Sequence, residues 1–297
     1  MYKNLNPASL GVTGRQSELI ELALTYGFRG LDVDAAELLK RAALQGIQEA
    51  AKYVWSGKVK VGGWTLPINL AGDKEAFRSE LEKLAGMADL ARQVGFSYCV
   101  TVLEAGSDSL PYHENYELHR DRLSKAADVL AQHEIRLAVG FKAAAEFRQG
   151  RTFQFIHQAE EMLTFLRTAG SSNLGLALDT WNWKVGGGAA DQLGELSGKQ
   201  VVCVTIADLP SEADPATVEA PRRLLPGDET QAEHAALLKN LAKRGFEGPV
   251  TLASHASQAG GATRDAIVEK CAGILDRIWT AAGLSKAGRL TLAATEA

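Results

Sequence analysis

Short apolar runs rich in β-branched residues alternate along the chain with longer segments of helical period. This alternation is typical of a parallel sheet covered by helices, because each parallel crossover passes through a helix. The pattern predicts one strand in each of eight repeating units, at Ser9–Val12, Gly30–Asp34, Val59–Trp64, Tyr98–Leu103, Arg136–Phe141, Leu174–Asp179, Val201–Ile206 and Pro249–Ala253.

The predicted helices follow these strands, at Ser17–Tyr26, Ala35–Tyr53, Lys74–Val94, Tyr116–His133, Gln158–Thr168, Ala189–Leu196, Gln231–Lys243 and Arg264–Ala282. Asp73 is a candidate N-cap, and glycines stand where a left-handed residue would end four helices, at Gly27, Gly95, Gly170 and Gly245. Eight β-α units predict an α/β protein built as a single (β/α)8 TIM barrel. We assign residues 1–284 to the barrel domain and 285–297 to a C-terminal tail.

Composition and charge narrow the classes of partner. The 297 residues include 32 basic and 36 acidic side chains, a net charge of −4, and no excess of Lys and Arg of the kind that binds nucleic acid. No apolar run reaches the length of a membrane span. The three cysteines are far apart and odd in number, which argues against a disulfide framework. We therefore expect a soluble cytoplasmic protein with no nucleic-acid or membrane partner.

Several phrases resemble a known family in residue type and order. They are ALTYGFRGLDV from Ala23, GLALDTWNW from Gly175, VTIADLP from Val204, RRLLPGD from Arg222 and RGFEGPV from Arg244. Together they resemble the xylose isomerase-like TIM barrels, which include sugar-phosphate isomerases and epimerases. This resemblance implies the same barrel fold and, more weakly, a related chemistry.

The resemblance also implies a divalent metal held by four side chains at successive strand ends. The corresponding positions here are Gly140, Asp179, Thr205 and Ala253, so only the aspartate is retained. Asn182 stands where a histidine often follows that aspartate, and it is a candidate substrate-binding residue. One carboxylate holds a divalent ion poorly, so we expect a degenerate metal site and no cofactor. A relocated Mn or Mg site, using Glu104, Asp208 and His255, stays open as the alternative.

Strand alternation suggests an acid–base group without the metal. If Gly140 and Ala253 face the barrel interior, Lys142 and His255 face the same way, because side chains repeat with period two along a strand. Both would then converge on Asp179. A desolvated lysine and a histidine can move protons near neutral pH. The alternative is that both side chains fill polar space and pair with the aspartate.

Other candidate substrate-binding residues lie at or beyond strand ends. The flat faces of Trp64 and Trp181 suit the C–H face of a sugar, although both rings could equally plug the barrel. His113 lies in the segment Pro111–Tyr116, which we interpret as a lid loop, with a plain surface position as the alternative. Arg223, the second of two adjacent arginines, would bind a carboxylate, phosphate or hydroxyl pair, or else form a salt bridge at the rim.

Two functions follow from these features. The first is a sugar isomerase- or epimerase-like enzyme that moves a proton next to the carbonyl of a carbohydrate or polyol, with Asp179, Lys142 and His255 as its acid–base set. The second is a non-catalytic sugar-binding relative that has lost its metal site. The sequence leaves the oligomeric state open, a homo-oligomer included.

Overall fold

A computed structural model describes residues 1–291 of the chain. Within this range the strands are β1 Tyr2–Leu5, β2 Gly30–Leu31, β3 Lys60–Val61, β4 Trp64–Thr65, β5 Tyr98–Leu103, β6 Gly106–Ser107, β7 Arg136–Phe141, β8 Phe153–Gln154, β9 Leu174–Asp179, β10 Val201–Ile206 and β11 Pro249–Leu252.

The main sheet has nine strands in the order β3-β2-β1-β11-β10-β9-β7-β5-β4, and all neighbours are parallel. Its two edge strands, β3 and β4, are separated in the chain only by Gly62 and Gly63. A curled parallel sheet with helices between its strands fits an α/β barrel. The strands β6 and β8 form a separate antiparallel pair.

The helices in the described range are α1 Gln16–Thr25, α2 Ala35–Gln45, α3 Ile47–Gly57, α4 Lys74–Val94, α5 Tyr112–Ala131, α6 Ala159–Thr168, α7 Thr180–Val185, α8 Ala190–Glu195, α9 Gln231–Lys243 and α10 Arg264–Ala281. The bounds of α4 and α9 are those predicted. The single helix predicted over Ala35–Tyr53 is wrong, because Gly46 with φ of +87° separates α2 from α3.

The first strand was predicted in the wrong place. Ser9–Val12 is not a strand: residues 8–10 form a 3-10 turn, which ends at Gly11 with φ of +67°. The strand is Tyr2–Leu5, which pairs with β2 and β11. Its inward residue Asn4 is polar, so the segment lacks the apolar signal that marks the other strands.

Helix ends follow the predicted chemistry with one exception. Asp73 accepts a hydrogen bond from the Ala76 N–H at 2.8 Å and caps α4, as predicted. Gly27, Gly95 and Gly245 have φ of +75°, +119° and +82°. The prediction for Gly170 is wrong, because its φ is not positive and α6 ends at the extended residue preceding it.

The first residues of the predicted tail dock on the barrel. The Met1 amine donates to the Gly288 carbonyl oxygen at 3.1 Å, and Leu284 and Leu290 form an isolated bridge. The rest of the predicted tail, residues 292–297, lies outside the described residues. Within residues 1–291, no helix combines the length and apolar character needed to cross a membrane.

Candidate functional site

A cavity of about 710 Å³ opens at the carboxyl ends of the parallel strands, where barrel enzymes place their chemistry. Its polar side chains include Asp32, Thr65, Asp179, Asn182, Thr205 and Thr251. These residues come from strands all around the sheet or from the turns that directly follow them. The cavity is therefore a product of the sheet as a whole.

The cavity exists because the strand residues facing it are small. Gly140, Ala177 and Cys203 line its inner wall. A Cβ atom added at Gly140 would lie 3.6 Å from the Ala177 Cβ, so even an alanine at position 140 would contact Ala177. Larger residues in this layer would fill the space.

Asp179 lies at the junction of β9 and α7 and belongs to both. It is the last residue of the strand and the N-cap of the helix, and its Oδ1 accepts a hydrogen bond from the Asn182 N–H at 3.0 Å. The Asn182 side chain is held in turn, because its Oδ1 accepts from the Ala143 N–H at 3.1 Å. This bonding leaves the Asn182 amide NH2 as the donor group of that residue at the cavity.

Arg223 is the cationic partner of Asp179. Its Nη2 donates to Asp179 Oδ2 at 2.5 Å, and both side chains are largely shielded from solvent. Arg222, its neighbour in the chain, points away and pairs with Glu212 on the exposed surface. The two adjacent arginines therefore have separate partners, and Arg223 is the one beside the cavity wall.

A buried aspartate anchors the loop that carries Arg223. Asp208 exchanges two backbone hydrogen bonds with Leu224, at 2.8 and 2.9 Å. Its carboxylate pairs with His234 Nε2 at 2.6 Å and accepts a hydrogen bond from the Thr230 hydroxyl. Burial alone would raise the pKa of Asp208, but these hydrogen bonds outweigh it and hold the pKa below its usual value. Asp208 thereby positions Arg223.

Lys142 and His255 have partners other than Asp179. Lys142 Nζ donates to Glu104 Oε1 at 2.6 Å, and His255 Nδ1 is 2.8 Å from Ser257 Oγ. Neither is among the described residues that line the cavity. The strands β7 and β11 end before these two positions, so period-two alternation no longer directs their side chains. Their predicted acid–base roles stay predictions.

The residues present do not fit a divalent metal of the family type. Gly140 and Ala253 offer no ligand atom, Thr205 offers a neutral hydroxyl, and Asp179 is occupied by the Arg223 guanidinium. In the described part of the chain, no three His, Cys, Asp or Glu side chains gather closely enough to hold an ion. The groups considered for a relocated site are also dispersed, since Glu104, Asp208 and His255 each have a different partner.

The two tryptophans predicted to face substrate are mainly packing residues. Trp64 lines the cavity but is only 3% exposed, and its ring lies 6.3 Å from that of Phe96. Trp181 is 1% exposed and packs in a small apolar cluster. Its ring centroid lies 5.9 Å from the Arg223 guanidinium, so it supports that side chain from below.

The segment predicted as a lid loop is the start of a helix. Tyr112 begins α5, and its ring stacks on that of Tyr116 with a centroid distance of 6.1 Å. Tyr112 also packs against Phe155, 5.6 Å away. These ring contacts fix Pro111–Tyr116 against the barrel and leave His113 exposed on the first helical turn.

Asp32 is a polar residue of the site that sequence reasoning missed. It directly follows β2, its Oδ1 accepts from Asn4 Nδ2 at 2.8 Å, and it lines the cavity. Its burial raises its pKa to about 6, although hydrogen bonds from Asn4, Gly63 and Asn6 pull the other way. The available signal was an acid close to the end of a short apolar strand, whereas Asp179 was found through the family resemblance.

Cys203 lines the same cavity but is not an activated nucleophile. Burial, together with the nearby charges of Asp32 and Asp179, raises the pKa of its thiol to about 12. A thiol in such surroundings stays protonated at neutral pH and is unreactive.

Comparison with known proteins identifies the family. The profile of the xylose isomerase-like TIM barrels matches residues 20–276. The chain belongs to this family. A search of curated proteins finds no significant match.

Solved structures share this fold at low sequence identity. A xylose isomerase domain protein from Alicyclobacillus acidocaldarius has a TM-score of 0.84 and 23% identity, over 95% of this chain and 99% of that one. The IOLI protein with a binding zinc atom has a TM-score of 0.74 and 17% identity, over 95% and 98%. D-psicose 3-epimerase from Clostridium cellulolyticum H10 has a TM-score of 0.71 and 14% identity, over 95% and 99%.

Proposed function

We propose that this family member is a sugar isomerase- or epimerase-like enzyme that moves a proton next to the carbonyl of a carbohydrate or polyol without the usual divalent metal. The observation that carries the proposal is the Asp179–Arg223 pair at the wall of a polar cavity of about 710 Å³. The similarity in fold to an epimerase named for D-psicose supports the substrate class.

The cavity offers hydrogen-bonding groups suited to a polyhydroxylated ligand. A sugar hydroxyl both donates and accepts, so it pairs with either threonine hydroxyls or carboxylates. Thr65, Thr205 and Thr251 supply hydroxyls on separate strands, and Asn182 supplies an amide NH2. Asp179 keeps acceptor capacity on both oxygens after bonding its two partners, and it would hold a substrate hydroxyl or carry its proton.

Arg223 supplies the positive charge that the proposal needs at the rim. Arg223 is held against the cavity by its bond to Asp179, and a guanidinium oriented before the reaction begins would stabilise negative charge that develops on a carbonyl oxygen. Trp181 below it and the Asp208-anchored loop limit its movement. Lys142 and His255 stay part of the proposal as further proton carriers at the same rim. A cytoplasmic location also stays part of it, consistent with the free thiols of all three cysteines.

A non-catalytic sugar-binding protein is the second candidate. It is favoured by the replacement of the ligand residue at three of the four positions that correspond to the family's metal ligands, where Gly140, Thr205 and Ala253 stand. In such a protein the same cavity would bind a sugar, but no C–H bond would break.

Deuterium uptake from solvent separates the two functions. The purified protein is incubated in D2O with aldoses, ketoses and their phosphates, and proton NMR follows loss of the C–H signal next to the carbonyl. Wild type is expected to catalyse exchange with at least one sugar. The variant Arg223→Met should lose about 10²-fold in rate, because the pair that orients substrate is broken.

The neighbouring arginine provides the matched control. Arg222→Met removes the same charge from the next residue but affects only an exposed pair, so its exchange rate should equal that of wild type. Sugar binding without exchange would overturn the proposal of an enzyme and support the non-catalytic sugar-binding protein. Equal rates for both arginine variants would show that the site is elsewhere.

A further inference from the structure

Asp32 occupies a position that the fold builds specifically for a carboxylate. Its backbone N–H donates to the Leu5 carbonyl at 2.8 Å, which fixes the residue at the end of β2. A Cβ atom on Gly62 would lie only 1.7 Å from Asp32 Oδ1, so only glycine leaves room for this side chain. Asp32 can therefore occupy its place at the cavity only because position 62 has no side chain.

The neighbouring amide can serve both protonation states of this acid. Asn4 Nδ2 donates to Asp32 Oδ1 at 2.8 Å and to Thr251 Oγ1 at 3.1 Å. Asn4 Oδ1 is buried and has no hydrogen-bond partner among the described residues. When Asp32 is protonated, a flip of the Asn4 side-chain amide would exchange the places of its Nδ2 and Oδ1. Asn4 Oδ1 would then accept hydrogen bonds from the Asp32 carboxyl group and the Thr251 hydroxyl. A carboxyl that gains and loses a proton needs such a neighbour.

The charges around Asp32 leave it without a counter-ion. No lysine, arginine or histidine is among the residues that line the cavity within the described chain. Three titratable groups face it from other strands: Tyr2 on β1, Tyr98 on β5 and Cys203 on β10. Burial raises the pKa of all three above the neutral range, so each is uncharged there. Asp34 and Asp179 are the other carboxylates that line the cavity, and Asp179 is paired with Arg223.

We propose that Asp32 is the group that takes a proton from the carbon next to the substrate carbonyl and returns it. The proposal rests on the function proposed above and names its base. The C–H bond breaks, its electron pair forms the C=C bond of an enediolate, and the carbonyl π pair moves to the oxygen. Return of the proton to the former carbonyl carbon, while the hydroxyl proton of the carbon that was first deprotonated passes to the former carbonyl oxygen, makes that second carbon the new carbonyl and gives the isomer. No oxidant or reductant is consumed.

The test compares exchange rates across pH for Asp32→Asn, Asp32→Glu and wild type. With the base at a pKa of about 6, the wild-type rate should rise with pH and level off above about pH 6. The exchange rate of Asp32→Asn should not vary with pH and should be about 10²–10⁴-fold lower than that of wild type, the range expected for loss of a general base. Asp32→Glu should recover part of the rate and restore a pH dependence. Asp73→Asn, which alters only an exposed helix cap, is the control and should match wild type.

Calorimetric titration of the same sugar shows whether Asp32→Asn still binds. Retained binding with lost exchange supports a proton-transfer role, because a residue needed only for folding would lose both. Unchanged exchange and pH profile in Asp32→Asn would overturn the role of Asp32 and leave the proposed function standing. No exchange by wild type with any sugar would overturn both.

Discussion

Two aspartates at the same cavity have opposite surroundings. Asp179 is bonded to a guanidinium and to a helix N-terminus, whereas Asp32 has neutral donors only. Asp179 is therefore held in an ion pair, whereas Asp32, with its pKa raised to about 6, can change its protonation state near neutral pH. The difference arises from neighbours, not from the residue type.

The surroundings of Asp32 predict a cost in stability that depends on pH. Its folded-state pKa of about 6 is raised above the usual 3.8, so the folded protein binds this proton more tightly than the unfolded chain. Wild type therefore loses stability as pH rises from about 4 to about 6, and the loss then stays constant. Asp32→Asn should exceed wild type in free energy of unfolding by about 1–3 kcal/mol at pH 7 and by much less at pH 4.

Urea denaturation at the two pH values measures this difference. Asp73→Asn should show no comparable dependence, since that side chain is exposed. An Asp32→Asn variant that is less stable than wild type at pH 7 would mean that the negative charge of Asp32 stabilises the fold, contrary to this account.

At the scale of elements, sequence patterns predicted those with strong local signals. The helix α4 has an aspartate cap at one end and a left-handed glycine at the other, and its bounds were predicted without error. The strand β1 was missed because its inward residue, Asn4, is polar and donates a hydrogen bond to Asp32. The break between α2 and α3 was missed because one glycine inside a continuous helical period was not read as a stop.

The glycines at helix ends provide a matched pair of variants. Gly95→Ala should cost about 1–2 kcal/mol of unfolding free energy, because its φ of +119° is unfavourable for a residue with a Cβ atom. Gly170→Ala should be neutral or slightly stabilising. The φ of Gly170 is not positive, and an added Cβ would meet only the Ser124 side chain, with Oγ at 3.4 Å and Cβ at 3.8 Å. Thermal denaturation of both variants checks the contrast, and equal costs would contradict it.

At the scale of the molecule, the parallel sheet brings together residues far apart in the chain. The family fold and Asp179 were predictable, because the quoted phrases follow the strands in order. The pairing of Asp179 with Arg223 was not, since the arginine comes from a long loop whose path depends on Asp208. The directions of Lys142 and His255 were also beyond strand alternation, because both residues follow the last paired position of their strands.

The central claim is that proton transfer at this cavity depends on the protein's own charges, with Arg223 beside Asp179 at the rim. The most direct test is the deuterium exchange rate of wild type before and after treatment with a strong chelator, and again after addition of Mn²⁺. The account predicts the same rate in all three samples. Loss of exchange on chelation and its recovery with Mn²⁺ would contradict it and assign the chemistry to a divalent metal.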